Sequence, residues 1–264
     1  MPETELTGIY DSSFYESQRG GSERSAKVIV PIILETFSVE SVVDFGCGVG
    51  SWLKEFADAG ISEILGLEGG DVPAEVLKIP REKFQIADFT KDISVRSFDL
   101  SIALEVAEHL PECFADHFVR LLTDAAPVVM FSAAIPGQGG THHVNERWQS
   151  YWCEKFAQHN YVPLDVIRPK IWDNELIPFW YRQNRLVFCH QKTLPETGLN
   201  SDRITPLDLV HPELWLTRLQ SEEKRRRNQY IPRPRSIIAA FQTISLSLKV
   251  ILRRIVARLS PDQK

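Results

Sequence analysis

Between Glu23 and Phe37 apolar residues recur at intervals of three and four: Ala26, Ile29, Val30, Ile33 and Leu34. That spacing marks one face of a helix, and Pro31 inside it is expected to bend the axis. Beyond Phe37 short apolar runs alternate with amphipathic stretches. Ser41–Phe45, Glu63–Leu67, Phe84–Ala87, Phe98–Leu104 and Val128–Ser132 read as buried strands, and Tyr161–Ile167 with Arg185–His190 as a closing antiparallel pair. Ser51–Ala59 (capped by Ser51), Pro111–Leu122 and Trp148–His159 read as helices between them. Strands alternating with helices predict a seven-stranded, doubly wound α/β sheet covered on both faces. Ligands of such sheets gather at the carboxyl ends of the strands, near the point where the strand order reverses.

The pattern also divides the chain. Residues 1–22 are polar and read as an arm or lid, and residues 23–190 as the sheet domain. Residues 191–235 read as a linker carrying a short helix over Pro212–Arg227, with a proline hinge at Ile231–Arg235. Within 236–259 the residues Ile237, Ile238, Phe241, Ile244, Leu248, Ile251, Leu252, Ile255 and Leu259 trace one helical face, with Lys249, Arg253, Arg254 and Arg258 largely opposite.

Charge sharpens that division. The net charge is −5, yet from Lys224 onward eleven Lys or Arg face one acid, leaving 19 basic and 34 acidic residues upstream. An acidic body is poorly suited to nucleic acid, whose backbone calls for clustered positive charge. The basic amphipathic helix suits an anionic membrane surface, or self-association through its apolar face. A hydrophobic content of 43% and a charged content of 25% allow a core of ordinary size. Cys47, Cys113, Cys153 and Cys189 form no C-x-x-C pair, which fits a reducing compartment. The N-terminus carries no basic start followed by an apolar run. The expected location is the cytoplasm, with the tail able to hold the chain peripherally at the inner membrane face.

The chemistry concentrates after the first strand, in Val42-Val43-Asp44-Phe45-Gly46-Cys47-Gly48-Val49-Gly50. Glycines there permit positive φ and close approach of a ligand to the backbone. The following helix offers free amides to an anion. Such a turn is shared with nicotinamide-dependent oxidoreductases, but two features disfavour them. Their spacing calls for Gly or Ala where this chain has Ser51. Asp44 also places a carboxylate at the strand end, awkward beside a pyrophosphate and suited to an ammonium. Glu68 ends the second strand and can accept from ribose hydroxyls. Asp88 can accept from an adenine amine or serve only as a turn acid, and Phe89 can stack or fill core.

Together with Gly66-Leu67-Glu68, Ala87-Asp88 and Leu104-Glu105-Val106-Ala107-Glu108-His109-Leu110-Pro111, this turn resembles class I S-adenosylmethionine-dependent methyltransferases. More narrowly, the chain resembles bacterial stand-alone methyltransferase-domain proteins often associated with glycan or natural-product pathways. Residues 20–26, 132–140 and 143–148 carry that narrower match, and the resemblance covers about residues 8–190. It implies a Rossmann-like sheet with a C-terminal helical appendage and S-adenosyl-L-methionine as cofactor. Asp44, Gly46, Cys47, Gly48, Glu68, Asp88, Phe89 and Glu105 are the expected cofactor-binding residues.

An oxygen acceptor must lose a proton, a task suited to histidine. His143, in the glycine-led run after the fifth strand, is the first candidate. His109, beside Glu105 and Glu108, is the second, with local packing as its alternative. In an extended run Asn145 shares the side of His143, and Glu146 lies opposite. No metal is expected, since His142, His143, Glu146 and His159 have no ligand spacing that demands one. Trp148, Tyr151, Trp152 and Phe156 follow helical spacing and read mainly as a buried face. The activity implied is O-methylation of a sugar, glycan or small metabolite. The alternative is a non-catalytic cofactor-binding or scaffold protein recruited through its basic helix.

Overall fold

The computed structural model describes residues 12–199, 207–229 and 244–254. Seven strands form one sheet: β1 (Ser41–Phe45), β2 (Glu63–Glu68), β3 (Phe84–Ile86), β4 (Leu100–Leu104), β5 (Val128–Ser132), β6 (Tyr161–Leu164) and β7 (Leu186–His190). Their order is β3-β2-β1-β4-β5-β7-β6. All pairings are parallel except those of β7, which runs antiparallel to β5 and β6. The chain winds outward from β1 to β3, then restarts at β4 on the other side of β1. The carboxyl ends of β1 and β4 therefore flank the crevice where connections diverge.

Alternation along each strand builds two cores. Val42, Leu100, Ile102, Val128, Met130, Val187 and Cys189 face one side. Their neighbours Val43, Ala103, Val129, Phe131, Leu186 and Phe188 face the other. Parallel strands buried on both faces lack a polar side, which is why β1, β4 and β5 read as continuous apolar runs. The helices α1 (Ser12–Thr36) and α2 (Ser51–Asp58) cover the first face, through Ile29, Ile33, Leu53 and Phe56. On the second face lie α3 (Ala115–Ala125) and α4 (Gln149–Ala157), through Phe118, Leu122, Trp152 and Phe156. There the rings of Phe156 and Phe188 stack with centroids 3.8 Å apart. Tyr161 buries its ring and donates its hydroxyl to the carbonyl of Ala126 at 2.7 Å.

Several boundaries differ from the sequence reading. The first helix begins at Ser12, so part of the expected arm is helical and the turn through Gly20-Gly21 stays within it. Ser51 does not cap α2. Gly50 holds the cap position at φ 81°, and the buried Ser51 hydroxyl has no hydrogen-bond partner. Between β6 and β7 the chain forms α5 (Arg168–Ile171) and α6 (Phe179–Asn184), with α7 (Leu194–Thr197) after β7. All three are shorter than the window in which helical periodicity shows.

The chain divides into two compact units, Met1–Leu214 and Trp215–Lys264. The boundary falls within α8 (Pro212–Gln229), later than the domain edge expected at residue 190. In the second unit Trp215, Leu216 and Leu219 of α8 are exposed, and residues 244–254 are helical with Ile244, Leu248, Ile251 and Leu252 exposed. The proline hinge and the rest of the expected 236–259 helix lie outside the described residues. No described helix is long and apolar enough to cross a membrane.

One constraint joins the two sides of the crevice. Gly46 sits at φ 84°, and a Cβ there would overlap Val106 Cγ2. Gly46→Ala is expected to lower stability by about 1–3 kcal/mol, as for other strained backbone positions, measured by urea unfolding. Gly69 has open space and no positive φ, so Gly69→Ala should remain within about 0.5 kcal/mol of the wild type.

Candidate active site

The turn after β1 is held by the next strand. The amides of Gly46 and Cys47 both donate to the carbonyl of Leu67, at 2.8 and 3.0 Å, and Gly50 N donates to Cys47 O at 2.8 Å. Gly46, Gly48 and Gly50 all have positive φ. A Cβ on Gly48 would meet nothing within 4 Å, so this part of the turn faces open space.

Two carboxylates converge on it. Glu68 Oε2 accepts from Gly48 N at 2.6 Å and Oε1 from Gly69 N at 2.9 Å. Each carboxylate oxygen keeps further lone-pair capacity for a ligand hydroxyl. Asp44 is 2% exposed, and its Oδ2 has no hydrogen-bond partner. Burial, and then the nearby charge of Glu68, push the Asp44 carboxyl well above its usual range. A buried carboxylate without a partner is costly, and a ligand ammonium would complete it.

Other expected cofactor residues take different roles. Cys47 contributes its backbone, while its buried side chain packs into the core towards Gly66. Phe89 is core: its ring lies 6.0 Å from that of Phe45 and 5.6 Å from that of Phe118. Asp88 accepts from Thr90 N and Oγ1 and pairs with Lys91 at 3.0 Å. These contacts pull its carboxyl down to about 2. It stands exposed after β3.

Glu105 leads β4 into the crevice at φ 59°, an uncommon conformation for a residue with a side chain. Its carboxylate accepts from Asn184 Nδ2 at 3.1 Å and Gln138 Nε2 at 3.2 Å, which makes it a half-buried hub joining β4 to the loops around it. Behind this hub lies Arg185, fully buried between the rings of Trp52 and Tyr181, its centre 4.4 and 4.6 Å from theirs. None of its guanidinium nitrogens has a hydrogen-bond partner. Burial lowers its pKa to about 10, against the opposing pull of Tyr181 and Glu105.

The histidines come together. The rings of His109 and His143 meet edge to face with centroids 5.0 Å apart. The loop bearing His143 is stitched over the end of β4 by the amides of Val144 and Asn145, both donating to Glu108 O. It is not extended, since the consecutive amides of Val144 and Asn145 point to one carbonyl, and Glu146 turns towards His143 instead of away. Glu146 accepts from His143 Nδ1 at 3.0 Å and from the amides of Gly137 and Gly139, each at 2.7 Å. Asn145 is buried against the same loop and accepts from Arg147. Burial, and then the neighbouring His143 ring, bring the His109 pKa down to about 4, so that imidazole is neutral at physiological pH. Of the expected buried face, Trp152 and Phe156 are core, whereas Trp148 is exposed.

Sequence reading missed Gln138, Glu146, Asn184 and Arg185 as site residues. One signal was available: Gln183-Asn184-Arg185 sets three polar residues, all buried, directly before the apolar run of residues 186–189.

Tocopherol O-methyltransferase from Arabidopsis thaliana is 22% identical over 210 residues, covering 66% of this chain. The chain spans 60% of the length of that relative. Magnesium protoporphyrin IX methyltransferase from Synechocystis, solved with bound S-adenosylhomocysteine, has a TM-score of 0.49 at 16% identity, over 70% of this chain and 90% of that one. Human N-acetylserotonin methyltransferase, in complex with S-adenosylmethionine, has a TM-score of 0.47 at 16% identity, over 72% of this chain and 60% of that one. The family model described as a methyltransferase domain matches residues 17–167, more than half of the sequence. The chain belongs to the methyltransferase-domain family and is of the class I, S-adenosylmethionine-dependent type.

Proposed function

We propose that this chain transfers a methyl group from S-adenosylmethionine to an oxygen of a sugar, glycan or other small hydroxylated metabolite. The unpartnered Asp44 carboxylate beside the glycine turn, on the same sheet edge as two converging imidazoles, is the observation that carries this reading. Asp44 would hold the ammonium of the methionine moiety, Glu68 the ribose hydroxyls, and the backbone at Gly46 and Gly48 the close contacts between them. Bound there, the cofactor supplies an electrophilic methyl group on a sulfonium. The chain's own task is to align an acceptor with it and ease the departure of the acceptor's proton, and alignment alone is worth up to about 7–11 kcal/mol. His143 and His109 are the groups at this edge that can draw that proton away. The name of the Arabidopsis relative, an O-methyltransferase, is in keeping with an oxygen acceptor.

We also propose that the basic tail docks on an anionic membrane surface. The exposed Ile244, Leu248, Ile251 and Leu252 accompany Lys249, Arg253 and Arg254 on the helix over 244–254. Such a pairing of apolar and basic faces suits the lipid interface.

Calorimetry should show binding of S-adenosylmethionine and S-adenosylhomocysteine but not of NAD, and NAD binding alone would overturn the cofactor assignment. Asp44→Asn should weaken S-adenosylmethionine at least tenfold, as expected for losing a charge-assisted hydrogen bond of about 1.5–3 kcal/mol. The same change should raise the melting temperature of the ligand-free protein, because an unpaired buried charge is removed. His143→Ala should leave cofactor affinity intact and lower turnover about 10²–10⁴-fold on an accepted substrate; unchanged turnover rules it out of catalysis. Full-length protein should sediment with anionic vesicles and a chain lacking residues 236–264 should not. Equal recovery in the supernatant would defeat membrane docking, and a concentration-dependent change in mass would favour self-association instead.

A further inference from the structure

We propose that Glu108, His109 and His143 form a binding site for one divalent transition-metal cation of the manganese, iron, cobalt or zinc class. One ligand atom from each residue lies within 4.8 Å of the other two. Atoms bound to a common ion at 2.0–2.2 Å lie about 3–4 Å apart, so side-chain adjustment without backbone movement closes the site.

The hydrogen bonding around the cluster shows which atoms are left for an ion. Glu108 spends Oε1 on the amide of Ala134 at 3.2 Å, and its Oε2 is buried with no partner. The Nδ1 of His109 is buried with no partner. His143 engages Glu146 through Nδ1, which leaves Nε2. Glu108 and His109 therefore each keep a buried atom without a partner, an arrangement that calls for a cation or a donor. The far nitrogen of His143 is oriented by the Glu146 carboxylate, the support that ligating histidines regularly receive. Glu146 is in turn fixed by the amides of Gly137 and Gly139. Gly140 is required as well, because a Cβ there would overlap the His143 ring.

Two imidazoles and one carboxylate select a borderline metal over magnesium or calcium, which prefer all-oxygen sets, and over metals that require thiolate. Three protein ligands leave coordination positions open. A hydroxyl bound at one of them would lose its proton to water more readily, the imidazoles then holding the ion instead of taking the proton themselves, and this role for the ion rests on the methyl-transfer reading given above. The sequence argued against a metal because these ligands come from a 3-10 turn and a distant loop, so their spacing along the chain carries no ligand pattern.

The test uses full-length protein stripped with a chelator and titrated with Mn(II), Zn(II) and Mg(II), by calorimetry and by the electron paramagnetic resonance of free Mn(II). One Mn(II) per chain is expected, with Mg(II) weaker. Glu108→Gln and His143→Ala should each weaken Mn(II) at least tenfold. Glu146→Gln, which touches no ion, should weaken it about 10–100-fold, as partners of metal ligands do, and circular dichroism of each variant checks folding. Failure of the folded wild type to bind Mn(II) or Zn(II) overturns the site, as does binding that these variants leave unchanged. S-adenosylhomocysteine titrated into the same samples separates the two readings. Retained binding without metal defeats the metal site alone, and metal binding without S-adenosylhomocysteine defeats the cofactor assignment alone.

Discussion

The carboxyl edge of the sheet holds more buried charge than its own partners satisfy. Asp44, Glu108 and Arg185 are almost wholly removed from water, and each has at least one polar atom with no hydrogen-bond partner. Glu105 is relieved by the side-chain amides of Asn184 and Gln138 and by the nearby charge of Arg185. Ions are not taken out of water without loss, and breaking a buried pair costs about 3–5 kcal/mol. A fold that keeps such groups at one edge has its apolar layers doing the stabilising and that edge kept for ligands. The arrangement of helices, loops and glycines around β1 and β4 follows from the need to hold these charges in place.

Arg185 shows how the cost is moderated. Its guanidinium finds no hydrogen-bond acceptor but lies between two aromatic faces, an interaction worth about 2 kcal/mol or more when desolvated. Trp52 comes from α2 and Tyr181 from α6, and Tyr181 is hydrogen-bonded to Ser22 of α1 at 3.1 Å. The same cation therefore ties the helix after the glycine turn, the first helix and the insertion before β7 to a single point. The neighbouring Asn184 carries that tie to Glu105 and so to the end of β4.

The two halves of the crevice differ in how they are built. On the β1 side, backbone amides and glycines do the positioning, and the ligand groups come from residues close to strand ends. On the β4 side, long side chains from separate loops meet. Glu108 acts there twice, its carbonyl accepting the two amides that anchor the His143 loop and its carboxylate facing the imidazoles. Displacing that turn would move the loop and the histidines together, so the acceptor side behaves as one unit.

Strand positions were legible because burial on both faces leaves an uninterrupted apolar run. Ser41–Phe45 and Val128–Ser132 have in the structure the limits that the pattern gave them. The glycine turn and Asp44 were equally legible, since a tight turn at a strand end is a local event written in consecutive residues. Cys47 and Phe89 were placed with the cofactor because sequence order shows proximity but not side-chain direction, and those side chains turn into the protein interior. Glu146 was sent to the wrong side because alternation assumes an extended chain, and the chain is not extended where the amides of Val144 and Asn145 turn to one carbonyl. The chain alone thus determined the sheet and the cofactor turn, where neighbours in sequence are neighbours in space. Only the tertiary fold decided what surrounds Glu108, His109 and His143, because a distant loop must be laid over a strand end before their lone pairs can converge.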